Sequence, residues 1–208
     1  GITEGLLVVD DGDKQRSKRT KRIYKTHKIK DKKTGGFING QSFVFLLLVT
    51  ARVTIPVGVE FYMPDPLLSA WNKEDKRLRK RGVAKSKRPA RPKKNPLYPT
   101  KPELALGLLE EFRTVFTQIA IKCVLADSLY GSKAFIDKAS ALFGGIQVIS
   151  KLRKNQKVRF QGKTLHVSTF FRRYPGVKQT IRLRGGVEIT VFVSSARLSV
   201  CAHGKKRF

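Results

Sequence analysis

Short apolar segments separated by strongly basic stretches make up this sequence. Apolar and β-branched runs bounded by turn residues are typical of strands, and apolar residues at helical spacing are typical of helices. The segments that predict strands are residues 5–11, 37–53, 54–63, 119–126 and 146–150. The segments that predict helices are residues 103–117, 132–143 and part of 67–82. Their order along the chain predicts an α/β core with a mixed sheet.

The charge of the chain limits the class of partner. It has 44 Lys and Arg against 15 Asp and Glu, a formal net charge of +29, concentrated in residues 14–33, 73–101 and 151–184. Such a chain is expected to bind a polyanion, with nucleic acid favoured over an anionic membrane surface. A membrane-spanning protein is excluded because the longest apolar run, residues 43–49, is far short of the ~20 residues a spanning helix needs.

The pattern changes near residue 150, which predicts two regions. Residues 1–150 form the α/β core, interrupted by a Pro-rich basic loop over residues 83–102 that we expect to be extended or disordered. Residues 151–208 form a β-rich region in which alternating segments are separated by turn signals such as Gly185-Gly186.

Carboxylates follow two of the predicted strands. Asp10 and Asp11 come after residues 5–9, and Asp127 comes directly after residues 119–126. Side chains at the carboxyl ends of neighbouring strands converge in one crevice, where carboxylates can hold one or two Mg²⁺ or Mn²⁺ ions. The alternative is that each Asp only forms a turn or caps a helix. Because neighbouring strand residues point to opposite faces, only one of Asp10 and Asp11 can face such a site.

These features together resemble a known family. The strand ending in Asp10-Asp11, the Lys-rich stretch, the apolar strand after Gly40 and the box Ala126-Asp-Ser-Leu-Tyr-Gly131 are similar to DDE transposases of prokaryotic insertion sequences, of the insertion-sequence-four type. The resemblance covers roughly residues 5–203. It implies an α/β fold with an RNase H-like mixed sheet, flanking helices and a β-rich insertion over residues 151–208.

The resemblance also implies roles for individual acids. Asp11 and Asp127 would be the first two catalytic, metal-binding residues, with Asp10 as the close competitor of Asp11, since Gly12 stands where the family has Thr. The family's third acid is a Glu in a Tyr/Arg/Glu/Lys helix signature that this sequence lacks. Glu188 is the only Glu after Asp127, and we expect it to be a solvent-facing strand residue. The chain is therefore expected to be truncated before the catalytic Glu.

The family further implies Mg²⁺ or Mn²⁺ as cofactor, transposon-end and target DNA as partners, a homodimer on DNA, no membrane, and a cytoplasmic, nucleoid-associated location. Tyr130 would stack on a base or sugar, or would instead pack the start of the following helix. Some basic side chains in each of the three basic stretches, residues 14–33, 73–101 and 151–184, are expected to hold phosphates. The candidate DNA-binding residues are Lys14, Arg16, Lys18, Arg19, Tyr130, Lys151, Arg153, Lys154, Arg172 and Arg173.

Two functional hypotheses follow from these residues. The first is a transposase catalytic segment that nicks transposon ends and transfers strands by two-metal phosphoryl transfer. The alternative is a catalytically inactive transposase remnant or a basic nucleic-acid-binding protein, in which the aspartates are structural. A nuclease of the RNase H type shares the metal chemistry but needs more acids than the chain offers near Asp11 and Asp127.

Overall fold

A computed structural model describes residues 1–19, 22–31, 33–183, 185–194, 196 and 198–203. The chain divides into two compact units. The first consists of Gly1–Ala126 and Lys138–Ile149, and the second of Asp127–Asp137 and Ser150–Phe208. No described helix is both long and apolar enough to cross a membrane.

A six-stranded sheet forms the first unit. Its strands are β1 (Glu4–Gln15), β2 (His27–Lys30), β3 (Phe37–Val49), β4 (Thr54–Tyr62), β5 (Ala120–Ala126) and β6 (Gln147–Ser150). The order is β2-β3-β1-β5-β6, with β4 also paired to β3. Strand β1 is antiparallel to β3 and parallel to β5. The sheet is therefore mixed, which confirms the α/β fold predicted from the sequence.

Three helices accompany these strands in the chain. They are α1 (Pro66–Lys80), α2 (Lys101–Val115) and α3 (Lys133–Leu142), the last of which starts in the second unit and ends in the first. Helix α2 begins with a capping box in which Thr100 and Glu103 satisfy each other's backbone N–H groups, and Pro102 stands in its first turn. Its buried Leu108 packs on Gly58 of β4, where an added Cβ would lie 2.9 Å from Leu108 Cδ2.

The first strand is longer than the sequence indicates. An end at Asp11 was expected, but β1 runs to Gln15 because β3 starts at Phe37 and offers partners along the whole length. Asp10, Asp11 and Asp13 therefore lie within β1. The parallel pairing with β5, in contrast, ends at Val9 opposite Ala126. Beyond Val9, β1 is held by β3.

Helix α1 and the chain that returns from it form a basic segment between β4 and α2. Asp65 caps the helix by accepting hydrogen bonds from the N–H groups of Leu67 and Leu68. The return is mostly irregular, with one 3₁₀ turn at Lys85–Lys87, and Trp71 Nε1 donates a 2.9 Å hydrogen bond to the Pro89 carbonyl. Residues 66–94 are called the basic α1 segment below.

The second unit contains two small sheets and a helix. Its elements are β7 (Lys157–Phe160), β8 (Lys163–His166), α4 (Val167–Arg173), β9 (Val177–Arg182), β10 (Glu188–Val193) and β11 (Ser199–Val200). Strands β11, β7 and β8 form one antiparallel sheet, and β9 and β10 form the other. Val158, Val167, Phe170 and Val200 make its buried core.

Helix α4, which carries Arg172 and Arg173, lies within residues 151–208, for which the sequence predicted a β-rich region. Val167 and Phe170 are three residues apart and share a helix face, so that face can be buried against β7 while both arginines stay exposed. Glu188 is an exposed residue of β10, as expected.

Candidate active site

The two candidate acids of β1 lie on opposite faces of the sheet. Asp11 shares a face with the buried Leu7 and Val9 and pairs with Val44 of β3. This is the face on which α2 packs, since Leu46 and Gly58, which share it, meet Leu108. Asp10 is exposed on the other face, and its Oδ1 accepts a 2.8 Å hydrogen bond from the Asp11 N–H.

Asp11 is paired with a lysine from the first turn of α2. Lys101 Nζ lies 2.6 Å from Asp11 Oδ2, with the two side chains 17% and 23% exposed. The same ammonium lies 5.5 Å from the ring centroid of Tyr62, an attractive cation–π distance. Burial raises the pKa of the Tyr62 hydroxyl. The Asp11 carboxylate is therefore fixed and neutralised by a neighbour distant in sequence.

A second polar chain starts from Asp13, two residues along the same face. Ser42 Oγ, buried on β3, donates a 2.5 Å hydrogen bond to Asp13 Oδ1. His27 Nε2 lies 3.3 Å from the same hydroxyl, and His27 Nδ1 lies 3.0 Å from the Lys25 carbonyl. His27 is thus part of a polar network rather than a free surface residue.

Register brings the end of β5 alongside the acids of β1. Val9 is opposite Ala126 in the parallel pair, and Asp10 and Asp127 are the next residues in their chains. In the first unit the end of β5 therefore lies next to Val9, while β1 itself continues to Gln15.

Asp127 itself belongs to the second unit. Its side chain is 45% exposed, and its Oδ1 lies 3.4 Å from Lys151 Nζ. Its backbone carbonyl accepts a 2.9 Å hydrogen bond from Ser150 Oγ. The carboxylate thus sits at an accessible position next to a cation, while its backbone is tied to the chain that follows β6.

Packing explains two other residues of the 126–131 box, Tyr130 and Gly131. Tyr130 is fully buried and packs on Phe135, with ring centroids 5.3 Å apart, so its ring does not face solvent where a base could stack. This corrects its assignment as a DNA contact and agrees with the alternative that it packs the helix start. An added Cβ on Gly131 would lie 3.0 Å from Ser150 Oγ and 3.3 Å from the Lys151 carbonyl, so only glycine fits without displacement.

The basic candidates remain as predictions for DNA contact. In the first unit, Lys14, Lys18 and Arg19 are exposed, while Arg16 is half-buried and donates a 2.8 Å hydrogen bond from Nε to Gln41 Oε1. In the second unit, Arg153 Nε donates a 3.2 Å hydrogen bond to the Ser128 carbonyl. The exposed candidates of that unit are Lys151, Arg153, Lys154, Arg172 and Arg173.

Sequence analysis missed Asp13, Ser42 and Lys101. Strand alternation could have found Asp13, because it stands two residues after Asp11. Lys101 gave no signal, since it is 90 positions from Asp11 in the chain.

The donor set on β1 has the right chemistry for a hard divalent cation, because carboxylate oxygens are the ligands that Mg²⁺ prefers. Among the described residues, however, no group of three or more His, Cys, Asp or Glu side chains is placed to hold a metal ion. The arrangement thus offers carboxylates of suitable type, one of them already bound by Lys101.

Comparisons with known proteins place the chain in a family. No curated protein and no solved structure matched it. The family model described as DDE superfamily endonuclease matches residues 3–176, which is most of the chain. Endonucleases of this family usually use divalent metals, and the mixed sheet is consistent with their RNase H-like fold. The chain belongs to the DDE superfamily endonuclease family.

Proposed function

We propose that this chain is the catalytic segment of a DNA transposase that cleaves phosphodiester bonds with Asp11 and Asp127 as its metal-binding carboxylates. The observation that supports this most directly is the register of β1 and β5: Val9 faces Ala126, Asp10 and Asp11 follow Val9 in β1, and Asp127 follows Ala126 in the chain. Family membership supports DNA as the substrate. Asp11 is preferred to Asp10 because it lies on the face covered by α2.

The side chains around Asp11 suggest how the chain would handle a cation. Bound Mg²⁺ or Mn²⁺ would supply Lewis-acid stabilisation of the negative charge that develops on phosphate oxygens. Lys101 holds the Asp11 carboxylate in place and neutralises it. A cation that binds Asp11 must compete with this ammonium, so Lys101 would set the affinity of the site.

The reaction expected for a transposase of the insertion-sequence-four type has two steps. In nicking, a water oxygen forms a bond to phosphorus, the bond from phosphorus to the 3′ oxygen breaks, and that oxygen takes up a proton. In strand transfer, the freed 3′-hydroxyl oxygen attacks a phosphorus of the target DNA, whose own 3′ oxygen leaves and is protonated. A dimer bound to the DNA ends would carry out nicking and strand transfer within one complex.

Nicking of a supercoiled plasmid in Mg²⁺ or Mn²⁺ tests this function. We expect Asp11→Asn and Asp127→Asn to reduce the rate at least ~100-fold, since each removes a metal-binding charge. Glu4→Gln is the matched control, because it changes an exposed acid at the far end of the same strand. Asp10→Asn should behave like that control; a loss with Asp10→Asn and none with Asp11→Asn would reverse the assignment of the two.

Two observations favour a second function. Lys101 already neutralises Asp11, and the described residues contain no complete metal cluster. A chain of this kind could bind nucleic acid without cutting it. DNA binding by the wild-type chain with no nicking in either metal, and no change of its melting temperature on adding Mn²⁺, would support this function instead.

A further inference from the structure

The basic α1 segment has a packed side and a free side. On the packed side, Trp71 holds the Pro89 carbonyl, and Arg88 Nη1 lies 2.6 Å from Asp75 Oδ1, with these two side chains 13% and 17% exposed. The Val83 N–H also donates a 3.1 Å hydrogen bond to the Leu78 carbonyl. The return chain is therefore fixed to one face of α1, although the sequence predicted an extended or disordered loop.

The opposite face of α1 is cationic. Lys73, Lys76, Arg77 and Lys80 follow the spacing i, i+3, i+4, i+7 and therefore lie within about 100° around the helix axis. All four are exposed. None of the 15 residues of α1, all of which the structure describes, is buried. The helix is thus held by its return chain and leaves its cationic face to solvent.

Most of this charge has no internal partner. Residues 73–94 contain 12 Lys and Arg but only two acids, Glu74 and Asp75. Arg77 pairs with Glu74, and Arg79 and Arg88 pair with Asp75. Eight exposed cations have no ion-pair partner among the described residues: Lys73, Lys76, Lys80, Arg81, Lys85, Lys87, Arg91 and Lys93. Like charges at i, i+4, such as Lys76 and Lys80, destabilise a helix until an anion neutralises them.

The chemistry of this surface selects its partner. A helix that binds a lipid surface needs a wide apolar face, but the face of α1 opposite the lysines is covered by the return chain. Ammonium groups on a helix bind phosphates without reading bases. Lys73 and Lys80 are about 10 Å apart along the axis, enough to contact more than one phosphate.

We propose that the cationic face of the basic α1 segment binds the phosphates of double-stranded DNA without recognising its sequence. The choice of DNA over other polyanions rests on the proposed function. The contact would deliver DNA to the chain by electrostatic attraction that weakens as salt increases.

The test is the salt dependence of binding to a short duplex, measured by fluorescence anisotropy in EDTA. Lys76→Gln/Lys80→Gln should reduce the slope of log K against log salt by about 2 and weaken binding roughly 60-fold at 0.1 M salt, if each lysine makes one phosphate contact. Arg52→Gln/Lys122→Gln removes the same charge from exposed positions outside the segment. This control should keep the wild-type slope and stay within about threefold in affinity.

Further arms separate charge from folding and DNA from other partners. Lys76→Arg/Lys80→Arg keeps the charge and should bind like the wild type, while circular dichroism confirms that the Gln variant is folded. Two unrelated duplex sequences should give the same change. Equal slopes for all variants, an equal loss in the Arg52/Lys122 control, or segment-dependent binding to anionic vesicles but not to DNA would overturn the proposal. Because EDTA removes metal, failure of the nicking test leaves this result unaffected.

Discussion

Replacing Lys101 with methionine removes the ammonium from Asp11 and keeps a side chain of comparable length. The pair is a direct contact of 2.6 Å, and both side chains are largely shielded from water, at 17% and 23% exposed. Two unit charges at this distance attract by about 6 kcal/mol at an effective dielectric constant of ~20. Loss of hydration offsets much of that attraction. We therefore expect a net coupling free energy of about 2 kcal/mol, as for a charge-assisted hydrogen bond.

A double-mutant cycle measures this coupling. The free energy of unfolding is obtained from urea titrations of the wild type, Asp11→Asn, Lys101→Met and the double variant at pH 7. The control pair is Glu4 of β1 and Lys122 of β5, at 2.8 Å but 62% and 59% exposed. Solvent screening should hold that coupling to about 0.5 kcal/mol or less, and added salt should weaken it further. A coupling for Asp11 and Lys101 no larger than the control's would refute the reasoning that burial strengthens the pair.

Three further predictions concern the pH dependence of stability, the close contact at Gly131 and the core of the second unit. Hydrogen bonds from Lys94 and the Thr100 backbone lower the pKa of Glu103 to about 2, so the stabilisation from the Glu103 carboxylate is complete above its ordinary pKa of 4.5 and is lost as pH falls toward 2. Because the side chain is 40% exposed, Glu103→Gln should lower the free energy of unfolding by only about 1 kcal/mol at pH 6. The same substitution should have no effect near pH 2, and urea unfolding at each pH measures both values. Gly131→Ala should lower stability by about 2 kcal/mol in the same titration, and adding Ser150→Ala should recover part of it, since Ser150 Oγ is the nearest atom to the new Cβ. Phe170 is 3% exposed, so Phe170→Ala should lower the free energy of unfolding of the second unit by about 3–5 kcal/mol, as measured by thermal unfolding. A loss under ~1 kcal/mol would show that this core is not packed as described.

Local patterns in the sequence were sufficient for much of the first unit. The apolar run at residues 5–11 and the β-branched run at 54–63 predicted strands, and the Pro102 and Glu103 start predicted α2, because each signal lies within one element. The continuation of β1 through Asp13 was not predictable locally, since those residues are polar. It depends on β3, whose residues 40–45 pair with residues 10–15.

At the candidate site, too, local sequence patterns could not predict contacts that depend on the fold. Alternation predicted that only one of Asp10 and Asp11 faces the site, and the proposal of Asp11 rests on the position of α2, which the sequence does not show. The contact from Lys101 joins residues that only the folded sheet brings together. In the second unit, the short helix α4 was hidden because Val167 also continues the alternation of β8, and burial of Phe170 decides in favour of the helix.

The first turn of α2 contacts two different parts of the first unit. Lys101 in that turn binds Asp11, and Glu103 in the same turn binds Lys94 at the end of the basic α1 segment. The capping box fixes the backbone between the two contacts. One rigid helical turn would therefore fix the position of both the Asp11 carboxylate and the segment that holds a DNA phosphate. The Lys94–Glu103 ion pair thus joins the basic α1 segment to the start of α2, while the exposed cations of the segment face solvent, where the proposed DNA contact would form.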